Sequence, residues 1–265
     1  MDNILEVRDL KVYFPVRKGL FGLVNHHIKA VDGVNFDLRR GETLGVVGES
    51  GCGKSTTSRA ILMLNKPCGG TITLDGKNIL TLKGAELLEY RRNVQVVFQD
   101  PQAALNPRHT VMEILTEGML YHKLCTKDER RAKAVELLKS VGMPEDILDR
   151  YPHEFSGGQR QRLCIARAIA LKPKLLICDE AVSALDLTIR AQVLDLLAEL
   201  KKKLSLSIIF ITHDIGVVQH VADRIIVMNK GKIVEQGPAS EVLTNPKEEY
   251  TKFLMASVPK IGKPL

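Results

Sequence analysis

The chain has 265 residues, 45% of them hydrophobic, and 38 lysines and arginines against 31 aspartates and glutamates give it a formal charge of +7. That length suits one core with a satellite subdomain, and the basic balance suits phosphate ligands, nucleic acid or an anionic membrane surface. A signal peptide is not expected of the opening MDNILEVRDL, the run LSLSIIFITH falls far short of the ~18–20 residues of a membrane-spanning helix, and five scattered cysteines without CxxC spacing argue against metal binding and a disulfide framework, as free thiols in a reducing cytosol would.

Ahead of residue 48 the sequence predicts three strands, ILEVRDLKVYF, IKAVDGVNFDL and ETLGVV. PVRKGLFGLVNHH reads as a loop between the first two, with His26 and His27 solvated rather than ligating. A glycine-rich loop, GESGCGKST, leads into the apolar SRAILML. After the turn KPCGG, TITLDGKNI is an alternating strand with a DG turn. From Pro101 to about Leu171 the periodicity is helical: TVMEILTEGMLY and DERRAKAVELLKSVGM place apolar residues at i, i+3 and i+4. KLLICDE and LSIIFITHD read as strands buried on both faces, flanking the amphipathic helix LTIRAQVLDLLAELKKKL. Strand, helix, strand is a βαβ unit. The expected fold is an α/β core with an antiparallel β portion at the front and a helical insert.

The loop Gly48, Glu49, Ser50, Gly51, Cys52, Gly53, Lys54, Ser55, Thr56 has the phosphate-binding spacing. Glycines allow successive backbone amides to approach a polyphosphate, and the following helix adds its positive end. Lys54 reaches the β- and γ-phosphates and the Ser55 hydroxyl suits Mg²⁺. LLICDE ends in Asp179 and Glu180 at a strand end, where α/β sheets bind ligands. Asp179 would hold Mg²⁺ through water and Glu180 would align the attacking water or take its proton; adjacent acids also cap helices, and the phosphate loop favours the first reading. His213 ends the next buried strand and is placed for the γ-phosphate. Phe155 is followed by Ser156, Gly157, Gly158 and Gln159 at the start of RQRLCIARAIAL, a second anion site on a different subdomain. One chain cannot easily use both sites on one triphosphate, which points to two chains head to tail.

These motifs, in this order, resemble the ATP-binding subunits of ABC transporters over nearly the whole chain. GESGCGKST is the Walker A loop, VVFQD holds a Q-loop glutamine at Gln99, FSGGQ is the signature, LLICDE is Walker B, SALD carries a D-loop with Asp186, and His213 is the switch histidine. The resemblance implies a P-loop NTPase (RecA-like) core with an antiparallel β subdomain, about residues 1–98 and 172–240. It adds a helical subdomain at about 99–171 and a C-terminal helical tail at about 241–265. It implies ATP and Mg²⁺, with Ser55, Gln99 and Asp179 at the metal, Glu180 as the catalytic base, and Gln99 relaying nucleotide state to a membrane partner. Asp186 would act across a dimer. An aromatic near the end of the first strand would stack on adenine: Phe14 is the choice and Tyr13 the runner-up, a core aromatic being the plain alternative.

DPQAALNPRHTV and NPKEEYTKFLMASVP narrow the resemblance to bacterial peptide (dipeptide and oligopeptide) importers and their nickel-importing relatives. That subfamily implies membrane permease subunits, a second ABC ATPase chain, an external substrate-binding protein, and a peripheral place on the cytoplasmic face of the inner membrane. Longer peptide-type members carry a cysteine-rich C-terminal extension, whereas here no cysteine follows Cys178, so no cluster is expected. DNA-maintenance ATPases of the same superfamily insert coiled coils or zinc modules, and ribosome-associated ones usually carry two cassettes. Neither pattern is present, and no nucleic-acid partner is expected.

Overall fold

The computed structural model describes residues 2–18 and 23–256. Its tertiary contacts separate two units, Met1–Leu82 with Ile209–Leu265, and Lys83–Ile208. The first unit opens with two antiparallel strands, β1 (Asn3–Lys18) and β2 (Leu23–Arg39). In β1 the fully buried positions change phase, from Leu5 and Val7 to Leu10 and Val12. Strand side chains alternate faces, so a change of phase needs an extra residue. The register slips between Val7 and Leu10, where Asp9 takes φ +47°. The bulge keeps all four side chains on the core face.

The loop expected over residues 15–27 is a correction. Pairing continues through Pro15↔His27, Val16↔His26, Arg17↔Val24 and Lys18↔Leu23, and only residues 19–22 of that stretch lie outside the described residues. Main-chain hydrogen bonds carry this end of the ribbon, so the apolar alternation that marks a strand in sequence is missing there. His26 and His27 are exposed, as expected, but on β2.

The fully buried β3 (Thr43–Val47) and α1 (Lys54–Ile61) follow. β4 (Gly69–Leu74) pairs with β1 and turns at Asp75 and Gly76, both at positive φ, into β5 (Lys77–Asn78). These strands make an antiparallel sheet ordered β2-β1-β4-β5. A two-residue turn with positive φ at both centres matches the twist of a hairpin, which is why Asp-Gly serves.

The second unit contains α2 (Gly84–Asn93), β6 (Val94–Val97), α3 (Pro101–Ala104), α4 (Val111–Tyr121), α5 (Arg130–Ser140), α6 (Gly157–Ile169), β7 (Leu175–Asp179) and α7 (Leu187–Leu204). β6 runs parallel to β7, Val94 beside Leu175 through Val97 beside Cys178. Thr110 and Glu113 close a reciprocal cap on α4, which buries Val111, Ile114, Leu115 and Met119 at helical spacing.

β8 (Ser207–Ile211) carries the chain back to the first unit, which ends with α8 (Ile215–Val221), β9 (Arg224–Asn229), β10 (Lys232–Pro238), α9 (Ala239–Thr244) and α10 (Glu249–Ala256). β3 is parallel to β9, and β10 is antiparallel to β9. On the other side of β3, the Thr212 amide just past β8 donates to Val46 O at 3.2 Å. α10 is held at its start by Glu235, which accepts from the amides of Lys247 (2.9 Å) and Glu248 (3.2 Å). Its Tyr250, Leu254 and Met255 pack on a cluster of Val47, Val218, Val227 and Val242.

Candidate functional site

β3 ends at Val47 and α1 begins at Lys54, so the glycine loop spans the turn from a buried strand to a helix start. Two glycines fix its path. Gly48 has φ +150°, and a Cβ there would lie 2.2 Å from Met228 O; Gly53 has φ +110°, and a Cβ there would lie 2.4 Å from Ala30 O. No side chain fits at either place. The loop closes around Lys54, only 4% exposed, whose Nζ donates to Gly48 O at 2.7 Å and Glu49 O at 2.8 Å. A buried ammonium is costly unless its hydrogens are bonded, and the third has only Cys52 Sγ at 3.7 Å, a weak acceptor. A phosphate oxygen would displace that contact at little cost. Ser55 and Thr56 are half-buried at the helix start, while Glu49, Ser50 and Gly51 form an exposed rim.

Neighbouring backbone braces the loop. Gly231, in the β9–β10 turn, donates its amide to Cys52 O at 2.9 Å and accepts from the Asp32 amide at 2.8 Å. The Glu49 amide donates to the Tyr250 hydroxyl at 3.2 Å. His213, one residue beyond Thr212, is exposed. Phe14 is 41% exposed beside Ile28, its partner across the ribbon. Tyr13 donates its hydroxyl to the Asp32 carboxylate and carries the Lys29 ammonium 5.4 Å from its ring centroid. The Asp32 bond pushes the Tyr13 phenol up to about 12.

In the second unit, β7 delivers Asp179, 7% exposed, at its last position. Glu180 follows at φ +51°, and its carbonyl accepts from the Ser183 amide (3.1 Å) and hydroxyl (2.9 Å). A left-handed glutamate is an uncommon conformation, held here by the turn that Ser183 closes. Gln99 is exposed between β6 and α3. Ser156 caps α6: its Oγ accepts from the Gln159 amide at 3.3 Å, and Gln159 Oε1 accepts from the Ser156 amide at 3.0 Å. Asp186 caps α7 by accepting from the Ile189 amide at 3.0 Å. Ser156, Gly157, Gln159 and Asp186 are exposed. Gly158 serves packing as well, since a Cβ there would lie 2.4 Å from Ile189 Cγ2 and drive α6 off α7.

The profile of the ABC transporter family matches residues 31–183, more than half of the chain. The chain belongs to the ABC transporter family. It is 51% identical over 263 residues, 99% of this chain and 80% of the other, to the oligopeptide transport ATP-binding protein AppF of Bacillus subtilis (strain 168). It is 50% identical over 258 residues to the glutathione import ATP-binding protein GsiA of Pectobacterium atrosepticum, covering 97% of this chain and 41% of that one. Among solved structures it resembles a dimeric ATP-binding cassette in a post-hydrolysis state bound to ADP and Pi, with TM-score 0.77 and 29% identity over 89% of this chain and 98% of that one.

The ABC ATPase fold explains what the sequence left unread. The braces on the phosphate loop come from Gly231, Asp32 and Tyr250, far from it in sequence. Arg167 reaches back to Ala104 O, and Arg160 to Pro152 O at 2.9 Å, fastening α6 to α3 and to the turn before the signature. The one available signal was NPKEEYTKFLMASVP, which marks the subfamily and contains Tyr250. The helix caps made by Ser156 and Asp186 have a signal in sequence, Ser-x-x-Gln and an aspartate before an apolar helix.

Proposed function

We propose that this ABC ATPase hydrolyses ATP to drive import of dipeptides or oligopeptides through two membrane permeases. The observation that carries the ATP half is the glycine loop closed on the buried Lys54 ammonium, with a strand behind it and a helix ahead. The peptide half rests on relatives that transport oligopeptides and glutathione, itself a small peptide, over nearly the whole of this chain; they favour peptides over nickel as cargo.

The residues divide the chemistry as follows. The loop of residues 48–56 holds the β- and γ-phosphates with Lys54 and with its backbone amides other than that of Glu49, which Tyr250 holds, and Phe14, open where Tyr13 is engaged with Asp32, stacks on adenine. Ser55, Asp179 and Gln99 offer a hydroxyl, a buried carboxylate and an amide oxygen, a hard-donor set that suits Mg²⁺ held largely by substrate phosphates and water. Bound there, Mg²⁺ would neutralise charge on the phosphates. Glu180 takes the proton of the attacking water and His213 contacts the γ-phosphate. Ser156 to Gln159 and Asp186 complete the site of a second ATPase chain, and that chain completes this one's. ATP contacts both halves, so it favours the closed dimer by differential affinity.

We propose that the chain works as three parts, a core with its β portion over about 1–98 and 172–240, a helical part over about 99–171 and a tail over about 241–265, although tertiary contacts group residues 83–98 and 172–208 with the helical part. Among the described residues no helix is long and apolar enough to cross a membrane, which suits a peripheral ATPase docked on permeases at the cytoplasmic face of the inner membrane and fed by an external substrate-binding protein. The test is a mild-detergent pull-down of the tagged chain from native membranes. Recovery of two permeases and a second, similar ATPase is expected. Ribosomes or nucleic acid without membrane proteins would leave the ATPase chemistry standing and overturn the transport reading.

A further inference from the structure

The peptide group between Gly48 and Glu49 is held from both sides. Its carbonyl, Gly48 O, accepts from Lys54 Nζ at 2.7 Å, and its amide, Glu49 N, donates to the Tyr250 hydroxyl at 3.2 Å. In a planar trans peptide the C=O and N–H point in opposite directions, so neither can turn without the other. Tyr250 belongs to α10, whose start is held by the Glu235 carboxylate and whose Tyr250, Leu254 and Met255 pack on the β3–β9 cluster that includes Val47. The phenol is therefore fixed by packing before it meets the loop.

We infer that Tyr250 is a positioning residue for ATP: by holding the Glu49 amide it fixes the Gly48 carbonyl, which in turn aims the Lys54 ammonium at the phosphate. This rests on reading residues 48–56 as the phosphate loop. Two of the three ammonium hydrogens are spent on Gly48 O and Glu49 O, and the third, on the weak acceptor Cys52 Sγ, is the one a phosphate takes. An ammonium already aimed loses less freedom on binding than one on a free four-carbon stem. If the Gly48–Glu49 peptide could rotate, Lys54 would lose one of its two strong acceptors and its aim.

Tyr250→Phe isolates the hydroxyl, because the ring stays in the cluster. In the full-length chain titrated with MgATP, the Kd should rise about three- to tenfold, the range of one lost hydrogen bond. The Glu49 amide should exchange with solvent about tenfold faster in the nucleotide-free protein, while Tm stays within about 2 °C. A purely structural tyrosine predicts the opposite: unchanged Kd, because the ring is kept, with any loss confined to Tm. A Glu49 amide that exchanges in the wild type as fast as an unprotected peptide also overturns the inference. Lys54→Ala, titrated in parallel, separates the two levels. If it leaves ATP affinity unchanged, the phosphate-loop reading and this inference both fall; if it abolishes binding while Tyr250→Phe matches wild type, only the inference falls.

Discussion

Within the glycine loop, neighbouring glycines answer to different constraints. A Cβ on Gly51 would meet nothing within 4 Å, and only its φ of +79° speaks for glycine; a Cβ on Gly48 would strike Met228 O at 2.2 Å and Cys52 Sγ at 2.7 Å. Gly48→Ala therefore has to push the loop away from β9, taking with it the carbonyl that holds Lys54. We expect a loss of about 1–3 kcal/mol of stability and at least a tenfold fall in ATP affinity, whereas Gly51→Ala should cost about 1 kcal/mol and largely keep its nucleotide. Thermal melting and ATP titration of the two variants check this; equal behaviour would refute the close approach to Met228. The nucleotide motif was legible because its chemistry is local: nine consecutive residues carry the turn, the cation and the hydroxyl. Tyr250, Gly231 and Asp32 were not, since a hydroxyl or a backbone group that braces a loop from across the unit leaves no pattern in the neighbouring sequence.

Among the elements, the buried strands β3, β7 and β8 and the long helix α7 declared themselves by unbroken apolar runs and helical periodicity, and α7 spans the stretch expected, Leu187–Leu204. The outer end of the β1–β2 ribbon did not, because Phe14, Pro15, His26, His27 and Ile28 are exposed there and show no alternation of apolar and polar faces. α10 shows a third case, a helix whose docking depends on a distant carboxylate. Burial alone would raise the pKa of Glu235, but the hydrogen bonds it accepts from the Lys247 and Glu248 amides outweigh it and hold the group below the usual carboxylate value. A carboxyl whose folded pKa is depressed contributes stability that is complete above its unfolded value, about 4.3, and is lost as pH falls through the folded value. Exchange of the residue 249–256 amides should therefore accelerate as pH drops below about 4.3, after correction for intrinsic rates. In Glu235→Gln it should be faster at neutral pH and flat across that window. Identical pH profiles in the two proteins would show that Glu235 does not hold α10. Because α10 also carries Tyr250, weaker docking should reach the phosphate loop.

At the scale of the whole molecule, the residues of the proposed nucleotide site divide between the units: the glycine loop and His213 belong to the first, and Gln99, the start of α6, Asp179 and Glu180 to the second. Ser156 spends its side-chain oxygen on the Gln159 amide, yet α6 still presents its positive end and the open Gly157 at an exposed surface. In the proposed function, that helix start would complete the phosphate site of a second ATPase chain. If Glu180 is the base, Glu180→Gln removes proton acceptance while keeping its size and turn. ATP should then still bind, hydrolysis should fall by at least about a hundredfold, and the ATP-closed pair should accumulate instead of reopening. Light scattering of the variant, with itself or with the second ATPase of its complex, should show the mass of two chains only with ATP, and Lys54→Ala in the same background should abolish that. Turnover near the wild-type rate would remove Glu180 from the chemistry. Loss of turnover without an ATP-dependent pair would keep Glu180 as the base and break the link between nucleotide and dimer on which the transport cycle depends.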